Sequence, residues 1–463
     1  MPQSAHAQER SGPVVPVWGD GWFPFAFTVD LAPDALYRVE ISQRAYVVFR
    51  DRQGAWRALH DACPHRLARL SDGELVDGQV RCLYHGWRFD GDGACRHIPQ
   101  LAAGQQIPAA ACVPAAAVRE QQGMLWLRHD DSDPSPAPAA VPRIAALDDP
   151  TCRTIDFAID LPYGHEFLIE NVLDYAHIHV AHAGVRGGGQ AALAGPIAFD
   201  LGPVTAAGFT AGLGPRAGGG VDDAAERGAN RVPARVQFLA PGLVHYWSDF
   251  AAVGAPQRIA GLLLFAVPLG PGRCRLLYRA YGNGWSWRDR LRPRFLEHGH
   301  QCRLLEQDMA VVQGQAASIA SMQESLAQRW LPLGSSDVLV LAYRRWLERF
   351  DHERSDFVGL QRRGPDSHRP QENVTPDRFW LHVRHCASCR AAMSAARWAR
   401  ALGLAGTLVL IALAAVTSGG WRYALAGTGV LAAMLVASAD LLLCRLAGRR
   451  ASLFQDPCQD LVR

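Results

Sequence analysis

The chain has almost no net charge and no basic stripe. Its 47 Lys+Arg against 44 Asp+Glu leave +3 over 463 residues, and no Lys/Arg-rich segment gathers that excess into a nucleic-acid footprint. No nucleic-acid partner is therefore expected. A disulfide framework is also missing: eleven cysteines, an odd number, are scattered along a long chain, which points to a reducing compartment. Residues 1–10 hold no apolar stretch, so no secretory signal is expected. The segment ahead of the first structured-looking run, residues 15–27, is too short for an organellar transit peptide. There is no internal repeat. One dinucleotide-like fingerprint, Gly427-Thr428-Gly429-Val430-Leu431-Ala432, lies inside a long apolar run with no strand before it, and reads as helix packing. At 49% hydrophobic and 20% charged the composition is that of an ordinary globular protein, long enough for two or three cored domains.

What the chain does contain is more specific. From residue 63 it reads Cys63-Pro64-His65, sixteen further residues, then Cys82-Leu83-Tyr84-His85. Two Cys and two His in this order are the ligand set of a Rieske [2Fe–2S] centre. Cys63 and Cys82 would hold one iron as thiolates, and His65 and His85 the other as imidazoles, which raises the reduction potential. A Cys2His2 zinc site is the competing reading, but there paired Cys usually precede paired His. Here each segment carries one of each, as two matching loops around one cluster require. Such a cluster moves electrons, so an acceptor should lie elsewhere in the chain.

Residues 17–130 alternate short apolar runs with Gly/Asp turns and predict a small all-β domain. Residues 131–142, with four Pro, read as a connection. Beyond it, strand-like stretches at 152–161 and 232–267 mix with helical ones at 166–182 and 285–318, which indicates an α+β domain over 150–390. Gly-rich stretches at 184–195 and 208–220 read as loops, and 330–350 as an amphipathic helix. Residues 401–421 then hold no charged side chain, enough for the ~20 residues that span a bilayer core. A second apolar run, 423–444, has Asp440 as its single charge. A buried helical hairpin is the bland alternative to a two-helix anchor over 398–446. Arg390, Arg397 and Arg400 precede the pair and Arg445, Arg449 and Arg450 follow it, with only Arg422 between. The expectation is an integral membrane protein whose catalytic region faces the cytoplasmic or stromal side.

The acceptor is sought in Glu170-Asn171-Val172-Leu173-Asp174-Tyr175-Ala176-His177-Ile178-His179-Val180-Ala181-His182. Two His five apart after an Asp supply half of a 2-His-1-carboxylate triad, which leaves Fe(II) open to dioxygen. On a regular helix His177 and His179 point to nearly opposite faces. His177 and His182 converge if the helix loosens between them, and are preferred; His179 is then structural. The third ligand should be a distant carboxylate, and Glu306 and Asp308 both qualify. Local spacing does not choose between them.

Residues 17–390 resemble a Rieske non-haem iron oxygenase, and within that family the pheophorbide a oxygenase group, which includes the Rieske protein of the chloroplast inner-envelope translocon. The stretches that carry the likeness are Cys63-Pro64-His65-Arg66-Leu67-Ala68, Cys82-Leu83-Tyr84-His85-Gly86-Trp87-Arg88-Phe89-Asp90 and Glu170 to His177. Two C-terminal membrane helices are a further shared trait. The resemblance implies an all-β Rieske domain and a helix-grip, START-like catalytic domain of antiparallel sheet and helices, followed by a transmembrane hairpin. It implies Asp308, with Gln315 after it, as the third iron ligand. Asp174 becomes a bridge between a cluster-ligating His of one subunit and an iron-ligating His of the next, in a homotrimer. No flavin or nucleotide motif is present, so ferredoxin or a similar carrier, with a separate reductase, should supply electrons alongside O2. The substrate implied is hydrophobic, a chlorophyll-derived tetrapyrrole among the options. A non-enzymatic redox sensor or translocon component, and a desaturase or demethylase, are the rival readings. Last, Cys386-Ala387-Ser388-Cys389 is either chance packing, a small metal site completed by His382 and His385, or a redox-active dithiol. The resembled group carries a CxxC in a similar place, proposed as a thioredoxin target, which favours the redox switch.

Overall fold

The computed structural model describes residues 21–128, 141–182, 189–190, 192, 194–213, 235–250, 258–285, 291–322, 324–350 and 377–448. The expected connection at 131–140, most of the Gly-rich stretch 184–195, residues 214–220, and Arg449 and Arg450 lie outside them. Two compact units divide the chain, one from residues 1–290 with 307–371, the other from 291–306 with 372–463.

In the first unit, eleven short strands between Trp22 and Arg128 make three antiparallel sheets. Their hairpins are tight because the turns accept left-handed backbone. Ser42-Gln43, Asp77-Gly78 and Gln122-Gly123 all have positive φ at both positions, the geometry that matches strand twist in two-residue hairpins. Val47, Phe49, Leu59, Leu70, Val80 and Phe89 fill the space beneath the loops that carry Cys63 and Cys82.

A seven-stranded antiparallel sheet follows, in the order Arg153–Leu161, Arg273–Gly282, Arg258–Gly270, Leu243–Phe250, Arg235–Leu239, Gly208–Leu213, Phe199–Leu201. Asp156 faces Arg279 and Asp160 faces Arg275 across the first pair of strands. Both are two-point ion pairs, at 2.6 and 2.8 Å and at 2.6 and 3.1 Å. A one-residue slip would separate both, so they hold the register. The same guanidinium groups donate to the carbonyls of Gln122 and Phe25, which ties this sheet to the first strands. Trp22, Phe25, Trp126, Leu263, Phe265 and Leu277 close one shared core there.

The elements differ from expectation in instructive places. The Gly-rich stretch beginning at Gly208 is a strand as far as Leu213. Gly208 is needed because a Cβ on it would lie 2.0 Å from the Phe238 carbonyl; the glycine marks close backbone approach and not a loop. The helix expected over 330–350 begins only at Val338, since Pro332 and Gly334 cannot extend it backwards. The strand Arg273–Gly282 lies outside the strand-like stretches that the sequence predicts. The helix expected over 166–182 is two helices, His165–Leu173 and Ile178–Ala181. A long helix, Arg294–Ser321, contributes to both units.

In the second unit, Ala387–Val416 and Trp421–Ala447 are helices of 30 and 27 residues, long and apolar enough to cross a membrane. Only 6% and 17% of their most apolar windows are buried, so many of their leucine and valine side chains face outwards. The GxGxxA fingerprint lies inside the second of them.

Candidate functional site

Cys63 follows the strand Trp56–His60, and Cys82 follows Gln79–Arg81. Each opens the same loop. Cys63 N–H donates to the Ala68 carbonyl and Leu67 N–H returns to the Cys63 carbonyl, both at 2.8 Å. Cys82 N–H donates to the Trp87 carbonyl at 2.8 Å and Gly86 N–H to the Cys82 carbonyl at 3.0 Å. The fifth residue of each is left-handed, with φ +59° at Leu67 and +76° at Gly86. Glycine adopts this freely; at Leu67 it costs about 1–2 kcal/mol, strain of the kind held at ligand-binding loops.

The loops bring Cys63 and Cys82 together in the buried core, with the His65 and His85 rings 4.3 Å apart above them and His65 stacked on Trp87 at 4.7 Å. Burial, aided by Cys82 beside it, pushes the Cys63 thiol up to about 11. Such a thiol loses its proton at neutral pH when a metal cation takes the proton's place on sulfur and the proton passes to solvent. His65 Nδ1 is buried with no hydrogen-bond partner among the described residues, a cost that a metal ligand bond would remove. Two thiols and two imidazoles in this state fit a [2Fe–2S] cluster. Gln100, which carried no signal in the sequence, joins the second loop from outside: it accepts from Trp87 Nε1–H at 3.2 Å and donates to the His85 carbonyl at 2.9 Å. Leu67, Leu83 and Tyr84 form an apolar rim, 77%, 66% and 60% exposed.

The second constellation depends on the break after Leu173. Asp174 Oδ1 accepts from Ala176 N–H at 2.9 Å and from His177 N–H at 3.4 Å. An Asp side chain that takes backbone donors in this way ends a helix. His177 then starts the short helix Ile178–Ala181 and His182 ends it. Their ring centroids are 5.2 Å apart. Asp308, buried on the long helix, receives both: its Oδ1 is 3.2 Å from His182 Nε2 and 3.8 Å from His177 Nε2. The donor atoms of His177, His182 and Asp308 all lie within 4.8 Å of one another. Each imidazole is oriented from behind. His182 Nδ1 meets Gln307 Oε1 at 3.0 Å, and His177 Nδ1 meets the Asp174 carbonyl. With Nδ1–H donated outwards, both Nε2 lone pairs point to the same place, the usual outer support of a metal-binding imidazole. Burial disfavours a proton on His182, yet Asp308 and Gln307 outweigh it and raise the imidazole's pKa; the pocket calls for positive charge. The residues fit Fe(II).

The remaining candidates are placed as follows. Glu306 is held by Arg378 through two contacts, one at 2.6 Å. His179 packs against Gly189, where a Cβ would lie 2.4 Å from its Nδ1. Asp174 Oδ2 lies 3.7 Å from His177 Nδ1. Cys386 and Cys389 are buried, neither in a disulfide. His385 is partly exposed and beside Arg384, at 2.8 Å. Behind the triad, Glu170 accepts from Gln315 at 2.8 Å and pairs with the fully buried Arg344. The sequence offered no sign of Gln307 or Arg344, since side chains 125 and 174 positions from their partners leave no local pattern.

Residues 21–114 match the family profile "Rieske [2Fe-2S] domain" and residues 238–325 match "Pheophorbide a oxygenase". Along most of its length the chain resembles the Rieske non-haem iron oxygenases. It is 29% identical to "Protein TIC 55, chloroplastic" of Arabidopsis thaliana, over 89% of this chain and 80% of that one. It is also 29% identical to "Pheophorbide a oxygenase, chloroplastic" of Oryza sativa subsp. japonica, over 90% and 80%. Among solved structures, dicamba monooxygenase with non-heme iron and dicamba shares the fold at a TM-score of 0.53 and 21% identity, over 72% of this chain and 97% of that one. The profiles and these relatives indicate an oxidoreductase with a [2Fe–2S] cluster, and His177, His182 and Asp308 are a group that could hold a mononuclear iron; Rieske oxygenases as a family draw on an electron donor and O2.

Proposed function

We propose that this chain is a membrane-anchored monooxygenase of a hydrophobic substrate, with its cluster on Cys63, His65, Cys82 and His85 and its iron on His177, His182 and Asp308. When bound, the cluster supplies electrons singly and the ferrous iron activates dioxygen. The convergence of two imidazoles and one buried carboxylate within 4.8 Å supports oxygenation above all, because an electron carrier or redox sensor has no use for an open metal site. Gln307 and the Asp174 carbonyl hold the two imidazoles in the tautomer that presents Nε2 inwards. Asp308, itself buried, contributes the negative charge.

Asp174 has a further role in this reading. Its carboxylate, beside His177 and partly exposed, links the iron site of one subunit to the cluster of its neighbour in a homotrimer. A ferredoxin-type carrier, reduced by a separate reductase, docks at the apolar rim of Leu67, Leu83 and Tyr84. The helices Ala387–Val416 and Trp421–Ala447 anchor the enzyme, with the arginine-rich flanks on the cytoplasmic or stromal side. A chlorophyll-derived tetrapyrrole is the first substrate to try, given the pheophorbide a oxygenase profile. Whether the product is a hydroxylated, ring-cleaved or demethylated molecule follows from which bond faces the oxidant.

The test is reconstitution of the full chain with ferredoxin, its reductase and NADPH against a panel of pigments, lipids and sterols. A substrate-dependent O2 uptake with an 18O-labelled product is the expected result. Cluster reduction by ferredoxin without O2 uptake on any substrate would instead make the chain an electron carrier.

A further inference from the structure

A second group of metal-binding side chains lies in the unit that carries the two apolar helices. His298 belongs to the long helix Arg294–Ser321. His382 follows the short helix Arg378–Leu381, Cys386 caps the start of Ala387–Val416, and Cys389 sits in that helix's first turn. All four are at most 2% exposed. Cys386 Sγ is 3.3 Å from His298 Nδ1, and Cys389 Sγ is 3.2 Å from His382 Nε2 and 3.6 Å from His298 Nδ1. The two rings stand nearly perpendicular, 5.0 Å apart. One donor atom from each residue fits within a 4.8 Å span.

We propose that His298, His382, Cys386 and Cys389 form a closed zinc site that fastens the long helix to the first apolar helix. In a tetrahedron with Zn–S of about 2.3 Å and Zn–N of about 2.0–2.1 Å, neighbouring N and S atoms are about 3.5 Å apart. The three observed N···S separations bracket that value. Two thiolates and two imidazoles are a structural zinc set, and a site with all four positions filled by protein leaves none for a substrate. Val383, Met393, Ala396, Leu443 and Leu446 pack around it, which keeps water out. Binding releases the two thiol protons to solvent and changes no oxidation state. A thioredoxin-addressed dithiol fits the geometry less well. Exchange requires a thiolate to attack one sulfur in line, and both sulfurs are buried against imidazoles. The site shares no residue with the [2Fe–2S] cluster or the iron triad, so it stands independently of the proposed reaction.

The experiment is metal analysis of the full chain purified in detergent without added zinc or chelator. We expect about one zinc per chain beside the iron. The Cys386→Ser/Cys389→Ser double variant should lose that zinc and keep the Rieske electron-paramagnetic-resonance signal, while Cys112→Ser, at an exposed cysteine, should retain it. If the double variant does not fold, growth of the unaltered protein in cobalt decides. Tetrahedral thiolate-bound cobalt gives intense visible bands and a near-ultraviolet charge-transfer band, and these are expected. Wild-type protein without zinc, zinc that survives the double substitution, an absence of the cobalt bands, or a Cys386–Cys389 disulfide in the mass spectrum of untreated protein would each overturn the site.

Discussion

The same side chain serves different chemistry according to what lies behind it, and histidine shows this most clearly. His177 and His182 each have a hydrogen-bond acceptor at Nδ1 and a carboxylate before Nε2. His245 has neither. It is fully buried in the seven-stranded sheet, stacked on Trp247 and joined to the Tyr281 hydroxyl at 2.7 Å. Burial pushes its pKa down to about 3 from 6.5. Below pH 6.5 the unfolded chain therefore takes up a proton that the folded chain refuses. The stability present above that pH is lost at about 1.4 kcal/mol per pH unit as the pH falls towards 3. His245→Gln should lower the thermal midpoint at pH 7, where a stacked ring is lost, yet lose less than the native protein between pH 7 and pH 5. Unfolding curves at the two pH values measure this; equal losses in both proteins would mean that His245 is not the group responsible. Arginine is the other telling residue. The chain contains no lysine, so the buried pairs Arg275–Asp160, Arg279–Asp156 and Arg344–Glu170 all use a planar guanidinium, a group able to grip a carboxylate at two points.

Among the elements, the junctions between helices matter more than the helices. The sequence from Glu166 to His182 has helical composition throughout, and only the side chain of Asp174 bending back to Ala176 and His177 divides it. The loosening expected between His177 and His182 lies instead before His177, and the two histidines flank an intact short helix, Ile178–Ala181; an Asp in a helical context is read equally well as a surface acid, so spacing does not locate the break. The Gly208 strand is hidden for the opposite reason: a residue that usually marks a turn stands where a neighbouring carbonyl leaves no room for Cβ. Glu170 joins the helix His165–Leu173 to Gln315 on the long helix and to Arg344 on Val338–Phe350. Arg344→Met leaves Glu170 buried without its cation, so a loss of about 3–5 kcal/mol is expected. Adding Glu170→Gln should restore part of it. Chemical denaturation of the two variants checks both; an Arg344→Met protein as stable as the native one would show that the pair holds nothing in place.

For the whole molecule the question is how electrons pass from cluster to iron. In the proposed trimer they cross between subunits through Asp174. Asp174→Asn should then keep both metals, seen by their spectra and by iron content, while turnover falls roughly 100-fold, the upper range for loss of an outer metal-site partner. Light scattering in detergent should give three chains per particle. Full turnover in the variant, or a monomer that turns over normally, would remove the bridge from the mechanism.

Much of this protein can be read along the chain, wherever function needs residues close in sequence. Cys63, His65, Cys82 and His85 are legible because two short loops carry all four, and the apolar helices because each is one long, nearly unbroken apolar run. The pairing of His177 with His182 is legible for the same reason. Only the fold decides what depends on distant partners. It brings Asp308 and Gln307 to those histidines across more than 120 positions, engages Glu306 with Arg378 instead, and sets His298, not His385, beside Cys386 and Cys389. A helix presents every third or fourth residue alike, so spacing alone names candidates; which of them meets a partner is settled by the packing that buries it.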